Sequence, residues 1–150
     1  MKPFRFRLES VRSLRELAEQ KEREALGHAA FALREAEEAL SQAQTAYHSL
    51  AASLASRCEQ TFRAVDQSAG IASLRLAEAE IKRREAKRDE AREARQQAYG
   101  SWVESRRALE VIERLAERQK RQHREDTYRA EQAELDEFAG LMAGKESIVS

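Results

Sequence analysis

Between residues 25 and 54 the apolar side chains recur at alternating steps of three and four: Leu26, Ala29, Leu33, Ala36, Leu40, Ala43, Tyr47, Leu50 and Leu54. Those steps trace one stripe of an α-helix and fill both apolar positions of successive heptads. A second column, Ala25, Ala32, Ala39 and Ala46, runs beside the stripe. Small side chains there let a neighbouring helix approach closely. A helix this long buries its stripe only against another helix, so the pattern predicts protein contact rather than chemistry.

Ahead of the stripe, Phe4, Arg5, Phe6, Arg7 and Leu8 alternate as an extended chain does, and Val11, Leu14, Leu17 and Ala18 then take helical spacing. Pro3 is the single proline, so nothing after it forces a break. The spacing predicts a first helix over about 9–65. Asp66, Gln67, Ser68, Ala69 and Gly70 gather cap-forming and turn-forming residues and predict a turn over about 66–70. A second helix follows over about 71–140. Its stripe starts with Ile71, Leu74, Ala77 and Ile81, gives way to a charged stretch over 82–95, and resumes with Ala98, Trp102, Leu109, Ile112 and Ala116. The expected fold is all-α, one coiled-coil domain over 1–150, built as a long antiparallel two-helix hairpin. Folding near Ser68 sets Leu33 opposite the region of Trp102. Tyr128, Leu135, Phe138 and Met142 form a last stripe beyond the full overlap of the two arms and want a partner, and residues 143–150 are expected to fray.

Composition sharpens this picture. With 36% charged residues and 6% aromatics in 150 residues, no thick core is available. The 27 acidic and 27 basic residues cancel, so no large field of one sign draws the molecule to nucleic acid or membrane. Many acids instead precede a base by four positions, as in Glu78 with Lys82, Glu80 with Arg84 and Glu110 with Arg114. This is the favoured order for ion pairs along a helix. The lone Cys58 has no disulfide partner, which fits a reducing compartment. The start shows no signal peptide and no stretch is apolar enough to span a membrane, so the expected location is cytoplasmic, with membrane contact only peripheral.

Candidate chemistry is sparse. Lys82, Arg83, Arg84, Lys87, Arg88, Arg92 and Arg95 could grip phosphates, but Glu85, Asp89, Glu90 and Glu93 interrupt them and no aromatic or glycine motif accompanies them. A solvated helix face accounts for them, and no nucleic-acid partner is expected. His28, His48, His123 and Cys58 lack metal-ligand spacing, so neither metal nor cofactor is expected. Two helices offer no cavity to perturb a carboxylate, and enzymatic activity is not expected.

The chain resembles the FliJ family, coiled-coil proteins of the flagellar (type III) export apparatus. The resemblance rests on Phe4, Phe6 and residues 8–16 at the start, on Ala36-Glu37-Glu38-Ala39-Leu40, on residues 109–119, and on residues 131–139 with their Leu135-Asp136-Glu137-Phe138-Ala139 ending. It implies a hairpin similar to the central stalk of rotary ATPases and a non-enzymatic, chaperone-like role in flagellar protein export. The implied partners are the hexameric export ATPase, the cytoplasmic domain of the membrane export gate, and export escort chaperones. The ATPase surface expected from this is the end where both termini converge: Arg5, Arg7, Arg12 and Arg15 beside Tyr128, Leu135, Asp136, Glu137, Phe138 and Met142. The gate surface implied by the family lies around Ala39, Ala43, Ala46 and Leu50. Two other readings stay open, a stalk protein of a virulence type III secretion system and a free-standing adaptor that dimerises into a four-helix bundle.

Overall fold

The computed structural model describes residues 2–59 and 64–149. Two α-helices make up nearly all of them, α1 (Glu9–Cys58) and α2 (Ala64–Val149). They pack against each other in antiparallel order, so the fold is an all-α helical hairpin. The contacts group into two compact units, one of residues 20–104 and one of residues 2–19 with 105–149.

In the unit of residues 20–104 the heptad stripe is the seam. Each residue from Leu26 to Leu54 in that series is buried or half-buried, with Leu40 and Ala43 deepest. The second column packs less: Ala25, Ala32 and Ala46 are exposed and only Ala39 is half-buried. On α2 the seam passes through Leu74, Ala77, Ile81, Arg84, Arg88, Ala91, Ala98 and Trp102. The charged stretch therefore continues the three-and-four rhythm instead of interrupting it. Arginine permits this because its methylene stem lies along apolar surface while its head reaches a polar partner. Arg84 shows how: its Nη1 donates to the Ala39 carbonyl at 2.6 Å while its Nε donates to Glu80 at 2.7 Å.

The turn lies earlier than the sequence suggests. Residues 66–70 are helical, in the first turns of α2, where Asp66 complements the helix dipole. Gly70 adopts no left-handed conformation. It is buried instead, and a Cβ there would come within 2.5 Å of the Leu54 side chain, so the missing side chain serves close packing. The expected helix over 60–63 lies outside the described residues. An earlier turn moves every partner of α1 back along α2. With the fold at Ser68, Tyr47 would lie across from Asp89, whereas its hydroxyl bonds Glu78, and the expected pairing of Leu33 with the Trp102 region shifts likewise.

In the other unit the chain enters as a strap. The Glu9 amide donates to the Phe6 carbonyl at 3.2 Å and the Arg12 amide to the Leu8 carbonyl at 2.9 Å, which starts α1. The alternation read from the sequence is realised, with Phe4 and Phe6 half-buried and Arg5 and Arg7 exposed. The opening of α1 then departs from expectation. Leu14 and Leu17 face outward, at 66% and 63% exposure, while Glu19 is buried at 3%. The reason is the frame: counting down from Leu26 by fours and threes reaches Glu22, Glu19, Arg15 and Arg12, of which only Arg15 is exposed, and not the leucines. Opposite, Ser105, Leu109, Ile112, Ala116, His123 and Thr127 turn inward, and every residue over 128–149 is exposed. The expected fraying after residue 143 is not seen, since α2 continues to Val149. Nothing there breaks a helix: Gly140 and Gly144 weaken it, and no proline stops it. Ser150 lies outside the described residues.

Candidate functional site

The candidate surface is built where the strap meets α2. The Phe4 ring lies 5.5 Å from the His123 ring, tilted by 56°. Beneath the strap is an open cleft of about 470 Å³, lined by Phe4, Phe6, Glu9, Arg12, Glu113, Ala116, Glu117 and Lys120. Phe4 and Phe6 give this cleft an aromatic edge. The strap supplies the third wall.

Charge in this region is unevenly committed. Arg12 is held within its own helix by Glu16 at 3.3 Å and Glu9 at 3.7 Å. Arg5, Arg7 and Arg15 are exposed and make no ion pair among the described residues. Farther along, the Thr127 hydroxyl donates to the His123 carbonyl at 2.8 Å, and beyond it the helix stands uncovered. Tyr128, Leu135 and Phe138 are about as exposed as Leu14 and Leu17, and Met142, Asp136 and Glu137 are exposed too.

These residues do not form one cluster. The arginines lie beside the strap, whereas Phe138 lies fifteen residues past His123 on α2, roughly 22 Å along the helix. The expected surface therefore divides into a basic start and an acidic, apolar overhang over 128–149. Sequence reasoning missed Leu14 and Leu17 as outward residues, and it missed Leu141, 63% exposed, as a flank of the overhang stripe. Carrying the heptad frame backward from Leu26 would have found the first two.

The second expected surface sits in the unit of residues 20–104. Ala43 is buried in the seam, Ala39 and Leu50 are half-buried, and only Ala46 is fully exposed. Next to them Tyr47 donates its hydroxyl to Glu78 at 3.2 Å, and that hydrogen bond, reinforced by the carboxylate's charge, raises the phenol above its ordinary value. Nearby on α2, Glu80 accepts from Arg83 and Arg84, each at 2.7 Å, and is lowered to about 2 by those bonds. Arg88 in turn bonds Asp89 at 2.9 Å. Three arginines of the basic stretch are thus satisfied inside the molecule.

Among the described residues no group of histidine, cysteine, aspartate or glutamate could hold a metal ion, and no helix is long and apolar enough to cross a membrane. Among the described residues of this helical hairpin, Phe31, Tyr99, Tyr128 and Phe138 face outward. The chain belongs to the FliJ family: the family model described as Flagellar FliJ protein matches residues 4–147, nearly the whole length. It is therefore a component of the flagellar export apparatus. No curated protein and no solved structure matches the chain.

Proposed function

We propose that this chain is the non-enzymatic stalk of flagellar protein export, seating its strap and overhang in the ring of the hexameric export ATPase and promoting the ring's assembly and turnover. One observation supports this above the rest: α2 continues past the strap as an uncovered helix bearing Tyr128, Leu135, Phe138 and Met142. An exposed apolar stripe of this size on a helix is suited to insertion between other protein surfaces. The basic start, with Arg5, Arg7 and Arg15 uncommitted, offers charge for steering the encounter. On the same reading Ala46 and the exposed edges of Ala39 and Leu50 meet the cytoplasmic domain of the export gate. The protein then works on the cytoplasmic face of the membrane and takes part in the turnover of escort chaperones.

The test is steady-state ATP hydrolysis by the export ATPase of the same genome, titrated with the full chain and with a chain cut after Thr127. Saturable stimulation by the full chain, lost in the shortened one, is the expected result. Binding and stimulation that survive the cut would move the active surface off the overhang, and no binding by either chain would overturn the stalk reading.

A further inference from the structure

In the unit of residues 2–19 and 105–149, burial along α1 runs against hydrophobicity. Glu19 points inward while Leu14 and Leu17 point outward. Beyond Thr127, Leu135, Phe138 and Leu141 stand on a stretch of helix whose every residue is exposed through Val149. A single helix of that length containing Gly140 and Gly144 has little stability of its own in water. Both faces gain from being covered, and their charges identify the cover. The overhang carries Glu131, Glu134, Asp136, Glu137 and Glu146 against only Arg129 and Lys145, and none of these makes an ion pair among the described residues. The start is the opposite, with Lys2, Arg5, Arg7 and Arg15 likewise uncommitted.

We propose that residues 128–149 of one copy lie along the Leu14 and Leu17 flank of α1 in a second copy, and reciprocally, forming a two-fold symmetric dimer. Within one copy the two surfaces do not meet, because the strap is fixed at His123 and α2 carries the overhang away from α1. Between two copies each surface is used once in each direction, as two-fold symmetry requires. Pairing overhang with overhang instead would place the acidic surpluses side by side, whereas pairing overhang with start sets acids against arginines. The dimer hides the surface assigned above to the ATPase. Only this consequence rests on the stalk reading: the dimer is then a reserve form that the ATPase must open.

Sedimentation equilibrium on the full chain alone, without the ATPase, tests the dimer apart from the stalk reading. The expected result is a monomer–dimer equilibrium that weakens with added salt. Replacing Arg5→Glu, Arg7→Glu and Arg15→Glu together should weaken it by roughly tenfold or more, as should Glu131→Lys, Glu134→Lys and Glu146→Lys together. Carrying both sets in one chain should restore it. Leu14→Ser with Leu17→Ser should abolish the dimer while the unfolding midpoint at dilution falls only slightly, since both side chains are largely exposed within the copy. A chain that stays monomeric throughout, or a dimer indifferent to reversal of the three arginines, overturns the proposal. The same variants titrated into the ATPase assay score the stalk reading separately.

Discussion

Glu80 is the residue where local chemistry is most sharply defined. Held at about 2 by the hydrogen bonds from Arg83 and Arg84, its carboxylate is far more acidic folded than the ordinary 4.5 of an unfolded chain. A depressed carboxyl contributes stability that is fully present above its unfolded value and is lost as pH falls through its folded value. Thermal unfolding followed from pH 5 towards pH 2 should therefore show a falling midpoint, with a shallower fall in Glu80→Gln. Equal slopes in the two chains would show that other carboxylates set the acid limit. The sequence announced Glu80 with Arg84 but not the role of Arg83, nor that Glu78 would forgo Lys82 for the Tyr47 hydroxyl across the seam. Helix periodicity lists every residue within reach, and the opposite helix decides which one is used.

Glycines belong to the same scale. Gly27 and Gly100 sit inside helices, and a Cβ added at either would meet nothing within 4 Å, so Gly27→Ala and Gly100→Ala should each stabilise by about 0.5–1 kcal/mol through reduced backbone entropy. Gly70→Ala should show little or none of this gain, because Leu54 must turn aside to admit the new methyl group. Urea midpoints of the three variants separate these outcomes. A gain at Gly70 equal to the other two would mean that Leu54 moves without cost.

At the scale of the element, the heptad rhythm decides burial more reliably than residue type does. Leu40, 5% exposed, and Leu14 are the same residue on the same helix, yet only one is core. Leu40→Ala should cost about 2 kcal/mol or more, and Leu14→Ala less than about 0.5 kcal/mol, in chemical unfolding at dilution. Comparable losses would show that Leu14 is packed after all. The stripe over residues 25–54 was legible because its seam positions are apolar without exception. On α2 the seam was obscured by Arg84 and Arg88, whose stems occupy core positions while their heads look like surface in a sequence. The turn was misplaced for a related reason: Asp66 and Gly70 are residues that form caps and turns, and here one lies in the first turn of a helix and the other packs inside it.

For the whole molecule, the division of contacts into two units has a direct consequence. The overhang belongs to the unit of residues 2–19 and 105–149, yet each of its residues over 128–149 is exposed. Cutting the chain after Thr127 should thus leave the unfolding midpoint at dilution within about 2 °C of the full chain, since the His123 contact to Phe4 is retained. A larger drop would mean that the overhang supports the fold, and it would remove the case for its being held ready for another protein. Family membership was also legible in the sequence, from the start, residues 36–40, residues 109–119 and residues 131–139, and the family model's span over residues 4–147 agrees.

By itself the sequence determined the helices, their amphipathic stripe and the pairing of two arms, because spacing along one chain fixes which side chains share a face. Tertiary structure alone decided the register, the cleft beneath the strap and the separation of the basic start from the acidic overhang. Each of these depends on where the second helix begins relative to the first, and a heptad repeat is nearly unchanged by sliding one turn, so no local pattern specifies it.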